Sequence, residues 1–266
     1  MGKVVVITGA SSGFGKATAE LLASQGHTVY GLSRRKTEHG QITFMQCDVR
    51  DFETVKRVID SIAAKEGHID VLVNNAGMGI GGALELATSD EIAVQMGTNF
   101  EGCANLCRAT LPYMRRLRQG KIINISSIGG LMGLPYQGYY SASKFAIEGF
   151  SEALYAEVKR FGISVSLVEP GDFATNFTAS RKNSQATIDD PDYGPVFKGS
   201  LDIIENEENG GLKPDRLALV IARIVDARNP RMHYVVANLE QRLSVLLKRI
   251  LPGGAFARIL CSYYKS

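Results

Sequence analysis

The sequence predicts an α/β fold built on a doubly wound parallel sheet, and three observations predict it. Short β-rich runs alternate with longer amphipathic stretches along a chain of 266 residues. Several of the runs are almost continuously apolar, Val71-Leu72-Val73 and Ile122-Ile123 among them, which suits strands covered on both faces. A glycine-rich turn, Gly9-Ala10-Ser11-Ser12-Gly13-Phe14-Gly15, directly follows the first run, Val4-Val5-Val6-Ile7, where a strand would pass into a helix. With right-handed crossovers these elements wind an open sheet of Rossmann type with helices on both faces.

In chain order, strands are expected over 3–8, 28–32, 42–46, 70–74, 120–126, 163–168 and 232–236. Helices fill the gaps at 13–25, 51–66, 99–118, 138–161 and 215–227. No internal repeat or low-complexity linker interrupts the series, so residues 1–266 read as one domain. Two segments break the rhythm. Residues 176–213 are polar and rich in Gly, Asn, Asp, Glu and Pro. An insertion after the sixth strand lies at the carboxyl edge of such a sheet, where ligands bind, and is expected to be a mobile substrate lid. In the tail, 239–266, Leu239, Leu243, Leu246, Leu247 and Ile250 recur at helical spacing. Pro252-Gly253-Gly254 stops that helix, and Phe256, Ile259, Leu260 and Tyr263 begin a second stripe.

Composition narrows the class. Hydrophobic residues make up 45% of the chain, enough for a sizeable core. A net charge of +3, with both signs scattered, argues against a nucleic-acid surface. No apolar run approaches the ~20 residues that span a bilayer. The basic faces of the tail leave only weak peripheral membrane contact, since the apolar stripe is short and Glu240 interrupts it. The chain opens Met1-Gly2-Lys3-Val4 straight into a strand, so no leader is expected and the cytoplasm is the expected location. Cys47, Cys103, Cys107 and Cys261 follow no disulfide framework, and Cys103 and Cys107 lack the partners that would complete a zinc site. With the four histidines dispersed, reduced cysteines and no metal are expected.

Gly9, Gly13 and Gly15 let a backbone approach phosphate closely at the start of a helix, and Ser11 and Ser12 add hydroxyl donors to the turn. The second strand ends Ser33-Arg34-Arg35-Lys36. An NAD site wants an acid about 20 residues beyond the glycines, to accept from the ribose 2′-hydroxyl. No acid occurs between Glu20 and Glu38, and Arg34 can pair with a 2′-phosphate that an acid would repel. NADP(H) is therefore the expected cofactor.

Tyr140 and Lys144 lie one helical turn apart. Reducing a ketone leaves negative charge on its oxygen, which calls for a proton donor and a hydrogen bond there. An unperturbed phenol has a pKa near ~10, so working near neutral pH takes roughly 4 kcal/mol of preferential phenolate stabilisation, which a neighbouring ammonium can help supply. The adjacent Tyr139 has Ser143 as its i+4 partner and points about 100° away around the helix.

These pieces, with others between them, resemble the short-chain dehydrogenase/reductase family over roughly residues 3–176. The matching motifs are Thr8-Gly9-x3-Gly13-x-Gly15, Asp48-Val49, Asn74-Asn75-Ala76-Gly77, Asn99, Ile125-Ser126-Ser127, Tyr140-x3-Lys144 and Pro170-Gly171-x3-Thr175, in the family's order and spacing. The resemblance implies that Asp48 and Val49 contact adenine and that Asn75, Ala76 and Gly77 flank the adenosine ribose. The Pro170–Thr175 turn, with Gly171, would hold the nicotinamide end. Phe14 and Phe173 stand where the family commonly has smaller aliphatic residues. The family's serine stands thirteen positions before the tyrosine, which selects Ser127 over Ser126. Asn99 would hold a relay water for the lysine, although an asparagine starting a helix is also an ordinary cap. Lys144 would lower the Tyr140 pKa and bind the nicotinamide ribose.

The resemblance also implies a homodimer or homotetramer formed through the helices 99–118 and 138–161. Both carry apolar residues on more than one face, including Leu106, Leu111, Phe145, Phe150 and Leu154. The function expected is an NADP(H)-dependent oxidoreductase that interconverts a ketone and a secondary alcohol. A hydrophobic, steroid-like or lipid-like substrate is expected from the apolar segment Ile128–Pro135, from Phe173 and Phe177, and from the tail. The tail also resembles, more loosely, members related to steroid and retinol dehydrogenases. Reduction of a 3-oxoacyl thioester or xenobiotic carbonyl is the alternative, and a non-enzymatic NADP(H)-binding regulator the more distant one.

Overall fold

A computed structural model describes residues 2–35 and 40–264. The first half runs β1 (Val4–Thr8), α1 (Gly13–Ser24), β2 (Thr28–Ser33), β3 (Thr43–Gln46), α2 (Phe52–Glu66), β4 (Val71–Asn74), β5 (Ile80–Gly81), α3 (Ser89–Met96) and α4 (Gly102–Leu117). The second half runs β6 (Gly120–Ile125), α5 (Gly138–Val158), β7 (Ile163–Pro170), α6 (Asn176–Ser180), β8 (Lys182–Asn183), α7 (Gln185–Asp189), α8 (Gly194–Asn209), α9 (Pro214–Asp226), β9 (His233–Val236), α10 (Leu239–Ile250) and α11 (Gly253–Tyr264). Seven strands form one sheet in the order β3-β2-β1-β4-β6-β7-β9, every pair parallel. The doubly wound single domain expected from the sequence is the fold observed, and all seven expected strands are in it.

The apolar strands divide the core in two. Val4 and Val6 of β1 turn to one face, with Leu72 of β4 and Ile122 of β6, against α2, α4 and α5. Val5 and Ile7 turn to the other, with Val71, Val73 and Ile123, against α1 and α9. Alternation along a strand sends successive side chains to opposite faces, so a sheet covered twice needs an unbroken apolar run. Each such side chain taken out of water contributes about 1.5–3 kcal/mol relative to an exposed one. A third, smaller cluster joins Met132 to Val245 of α10 and Phe256 of α11. The tail therefore packs on the segment that follows β6.

The structure differs from the sequence expectations at three places. The helix expected to begin at residue 99 belongs to a longer helical run that starts at Ser89 and passes through a π-helical turn at Gly97–Glu101 before α4. Asn99 is inside that turn, so it does not cap a helix. Residues 176–213, for which no helix was expected, are largely helical: α6, α7 and the sixteen-residue α8 occupy most of them, and β8 pairs with β5. Of the apolar residues expected at an oligomer interface, Leu106 and Leu154 are spent on the internal core, and Phe145 is the large exposed one. Lys36 lies outside the described residues. No helix among those described is long and apolar enough to cross a membrane. The four cysteines are free, three of them buried.

Candidate active site

The carboxyl ends of β1, β4, β6 and β7 converge on one edge of the sheet. Gly9 and Gly13 take positive φ angles of 66° and 52° between β1 and α1, a conformation that L side chains rarely adopt. A Cβ on Gly15 would stand 2.4 Å from the Gly9 carbonyl oxygen and 2.5 Å from Asn75 Nδ2, so only glycine closes this turn. The Thr8 hydroxyl accepts from the main-chain N–H groups of Asn75 and Ala76, both at 2.9 Å, and Asn75 Nδ2 donates to the Thr8 carbonyl at 2.9 Å. These bonds clamp the segment Asn75-Ala76-Gly77 against the glycine turn. Ser12 begins α1 without a side-chain cap, and the first helical turn carries no acid. The resulting backbone N–H groups and positive helix end fit a pyrophosphate.

Further along the edge, the Ser33 hydroxyl donates to the Arg35 carbonyl at 2.6 Å, and Arg34 is exposed. Asp48 is held by Arg50 at 2.6 Å, and that contact keeps its carboxyl below the usual range. Val49 is buried, and its carbonyl accepts from Asn105 at 3.0 Å. Phe14 and Phe173 meet edge to face with centroids 4.9 Å apart, forming a wall between α1 and the segment after β7. Together these residues fit a dinucleotide lying across the sheet edge.

The other end holds the reactive side chains. Ser127 follows β6, accepts from the Gly129 N–H at 3.0 Å and donates to the Pro170 carbonyl at 3.5 Å. Tyr140 sits in the first turn of α5, and Lys144 one turn further in. A Cβ on Gly129 would lie 3.4 Å from both the Ser127 hydroxyl and the Tyr140 ring, which places serine and phenol side by side. Lys144 is buried, donates to the Ile125 carbonyl at 2.9 Å and stands 5.7 Å from the centroid of the Tyr140 ring. Burial pushes the phenol up to about 12, opposed by Ser127, and pushes Lys144 down to about 8. In the protein alone, desolvation outweighs the lowering that a neighbouring ammonium was expected to give. Tyr139 faces elsewhere and lines a separate shallow cleft with Gly82 and Gln95. Ser126 is buried with its hydroxyl beside Glu148, and it lines the same cavity as Ser127.

The π turn sets Asn99. Its Oδ1 accepts from the Met78 N–H at 2.9 Å, and its Nδ2 donates to the Met78 carbonyl and to the Ser143 hydroxyl, both at 3.0 Å. A Cβ on Gly77 would lie 3.5 Å from Asn99 Oδ1 and 3.7 Å from Lys144 Nζ. Asn99 thus reaches the lysine's surroundings while its own groups fasten the segment after β4 to α5.

Ser127, Tyr140 and Lys144 line a cavity of about 250 Å³. Its apolar walls come from Met132 and Leu134 after β6, Phe177 of α6, Leu247 of α10, and Phe256 and Leu260 of α11. Phe177 lies 5.8 Å from the Tyr140 ring, centroid to centroid. The sequence singled out no carboxylates here, yet Asp172, Glu207, Glu208 and Glu240 line the same cavity. They come from three separate segments, so no spacing in the sequence announces them. Behind the site a second unforeseen group forms. Glu148 of α5, Glu169 of β7 and His233 of β9 meet, with His233 Nδ1 2.7 Å from Glu169 and 3.8 Å from Glu148. Burial lifts Glu148 to about 7.

This arrangement is that of a dinucleotide-dependent oxidoreductase, and the comparisons agree. The short chain dehydrogenase family model matches residues 3–186. A 3-ketodihydrosphingosine reductase of Bacteroides thetaiotaomicron is 52% identical over 98% of each chain. A short-chain dehydrogenase from Streptomyces avermitilis has a TM-score of 0.84 at 32% identity, covering 100% of this chain and 96% of that one. Two further structures carry different cofactors. One is a short-chain dehydrogenase/reductase from Burkholderia phymatum in complex with NAD, with a TM-score of 0.80 and 26% identity over 94% of this chain and 93% of that one. The other is ElxO with NADP bound, with a TM-score of 0.72 and 29% identity over 89% and 96%. The chain belongs to the short-chain dehydrogenase/reductase family and is an oxidoreductase acting on C=O and CH–OH groups, with a fold that binds a nicotinamide dinucleotide.

Proposed function

We propose that this chain is an NADP(H)-dependent reductase of a long-chain, lipid-like ketone. One observation carries the reading: Ser127, Tyr140 and Lys144 open into a single cavity whose far walls are apolar side chains of α10 and α11. The reduced nicotinamide, when bound, supplies the hydride. Tyr140 gives its proton to the carbonyl oxygen as that oxygen gains charge, and the phenol, driven up to about 12, is fully protonated for the task at neutral pH. The Ser127 hydroxyl donates a hydrogen bond to the same oxygen. Lys144 remains mostly charged at neutral pH and favours the phenolate left behind. Asn99 fixes the segment beside the lysine.

Arg34, at the end of β2, favours a 2′-phosphate and hence NADP(H) over NAD(H). The 52% identical relative is a reductase of a lipid ketone, which supports the substrate class. Residues 176–213, with α6 and α8 in the cavity wall, serve as the substrate cover. The face of α10 opposite the cavity turns Leu239, Leu243, Leu246 and Ile250 outward, with Arg242 and Arg249 nearby, and suits weak contact with a lipid surface. A homo-oligomer through α4 and α5, with Phe145 on its surface, completes the proposal, and light scattering tests it. The main test is a kcat/KM ranking of 3-ketodihydrosphingosine, steroid, retinoid and sugar carbonyls with NADPH. The long-chain ketone should rank first, and a preference for sugars would overturn the reading.

A further inference from the structure

Resting on the ketone-reductase reading, we propose that Asp172 and Glu207 select a substrate carrying an ammonium group close to its carbonyl. The site is the catalytic cavity itself, and its charge balance is what requires explanation. The charged side chains lining it are Lys144 and four carboxylates, Asp172, Glu207, Glu208 and Glu240. Lys144 is engaged by the Ile125 carbonyl at 2.9 Å. Arg181, whose side chain is only 2% exposed, adds one more cation beside the cavity, and it pairs with Glu208, which also accepts from Thr178 at 2.6 Å. Glu240 is exposed at the rim.

Two acids are left: Asp172, half-buried in the cavity, and Glu207, closer to solvent beside Tyr263. The contact made by Asp172 is with Gln241, whose neutral amide donates to the carboxylate and whose oxygen accepts the Asp172 N–H at 3.3 Å. Glu207 accepts from the Tyr263 hydroxyl. Neither of these contacts supplies a positive charge. Burial, followed by the neighbouring charges of Glu207 and Glu208, lifts Asp172 to about 7, as an acid short of a counter-ion should behave. A purely apolar ketone would press hydrocarbon against Asp172, which is unfavourable for a carboxylate.

Their position sets where the missing cation belongs. Asp172 lies two residues beyond Pro170, whose carbonyl accepts from Ser127, and its charge is felt at the Tyr140 hydroxyl. The cation is therefore near the reacting carbon, while Met132, Leu247, Phe256 and Leu260 are left to a hydrocarbon chain. A compact ammonium suits this space, since among the described residues these carboxylates do not bring their oxygens close enough together to hold a metal ion.

The experiment compares two C18 ketones with NADPH: a 2-amino-3-ketone and the same 3-ketone without the amine. The wild-type enzyme should prefer the amino ketone by about ten- to a hundred-fold in kcat/KM, the range of a hydrogen-bonded charge pair. Asp172→Asn, and separately Glu207→Gln, should collapse that ratio towards one. A variant that merely disturbs the fold lowers both rates together and leaves the ratio where it was, so an unmoved ratio in both variants overturns the proposal. Equal turnover of the two ketones by the wild-type enzyme overturns it as well. If neither ketone is reduced while the enzyme turns over other carbonyls, it is the long-chain ketone reading that fails.

Discussion

Lys144 donates to the main-chain oxygen of Ile125 at 2.9 Å, and in doing so ties α5 to the end of β6. Ser127 lies two residues beyond Ile125 and Tyr140 one turn before Lys144, so this bond, with that of Asn124 to Ser151 at 2.8 Å, holds the serine and the phenol relative to one another. Losing the ammonium would remove both a charge near the phenolate and a strut between two elements. Lys144→Met should accordingly lower kcat/KM and also move the pH profile. Alcohol oxidation needs the phenolate, so its rising limb should shift to higher pH by about one unit or more. A purely structural lysine would lower the rate without moving the limb.

Tyr140→Phe removes a hydroxyl while preserving the ring packed on Phe177. Turnover should fall by about 10²–10⁴-fold or more, with cofactor binding measured by fluorescence titration largely retained. Tyr139→Phe, on the face that lines the shallow cleft, should stay within a few-fold of wild type. Similar losses in the two variants would contradict the proposed acid.

Arg34→Asp places an acid where a 2′-phosphate is proposed to lie. The ratio of kcat/KM for NADPH over NADH should drop by about 10–100-fold or invert, since one guanidinium–phosphate contact contributes on the order of 1.5–3 kcal/mol. A ratio unchanged by the substitution would move the determinant elsewhere.

Glu148 gives a stability prediction of definite sign. Its folded-state pKa of about 7 lies above an ordinary 4.5, so the folded protein holds a proton there that the unfolded chain has released. Stability is then unaffected below the lower value and declines as pH rises through the interval, by on the order of 2–3 kcal/mol. Glu148→Gln should flatten this decline, so that thermal melts of the variant and wild type coincide near pH 5 and separate by pH 8 with the variant higher. Glu169, Ser126 and His233 face the same carboxyl, and loss of the His233 contact by His233→Ala should leave the wild-type trend in place. Parallel melting curves across the range would refute the assignment.

Deleting residues 239–266 takes away Gln241, Leu247, Phe256 and Leu260 from the cavity and uncovers Met132. The preference for long-chain over short-chain ketones should fall by about ten-fold or more, by the loss of several apolar contacts each worth on the order of 1 kcal/mol. An unchanged ranking in a deletion variant that still folds would remove the tail from the substrate wall.

The central strands were legible because burial on both faces leaves a continuous apolar run that needs no context to interpret. The motif residues Ser127, Tyr140 and Lys144 were legible for a related reason: they sit at fixed offsets on contiguous elements. By contrast, α3 escaped because of its residues only Gln95 is buried, leaving almost no apolar face to read. Its signal was local, the capping box of Thr88 and Glu91. The lid helices escaped because α8 buries just Phe197, Ser200, Ile204 and Glu208 along sixteen residues, so its composition reads as a polar loop. The pairs Asp172–Gln241 and Glu148–Glu169 were beyond reach for a different reason. Their members come from distant segments and are brought together by the folding of α5, β7 and α10, which no spacing encodes.

The π turn at Gly97–Glu101 makes this chain sensitive to its own length there. Excising Phe100 or Glu101 would let α3 and α4 merge into one regular helix, a change that backbone hydrogen bonding favours. Everything on the amino side would then rotate by about 100° relative to α4. The amide of Asn99 would swing away from Met78, and the sheet would fold as before. A gene copy carrying such an in-frame loss would yield a well-folded dinucleotide binder with a displaced lysine environment, so the bulge is a point at which architecture and turnover can be inherited separately.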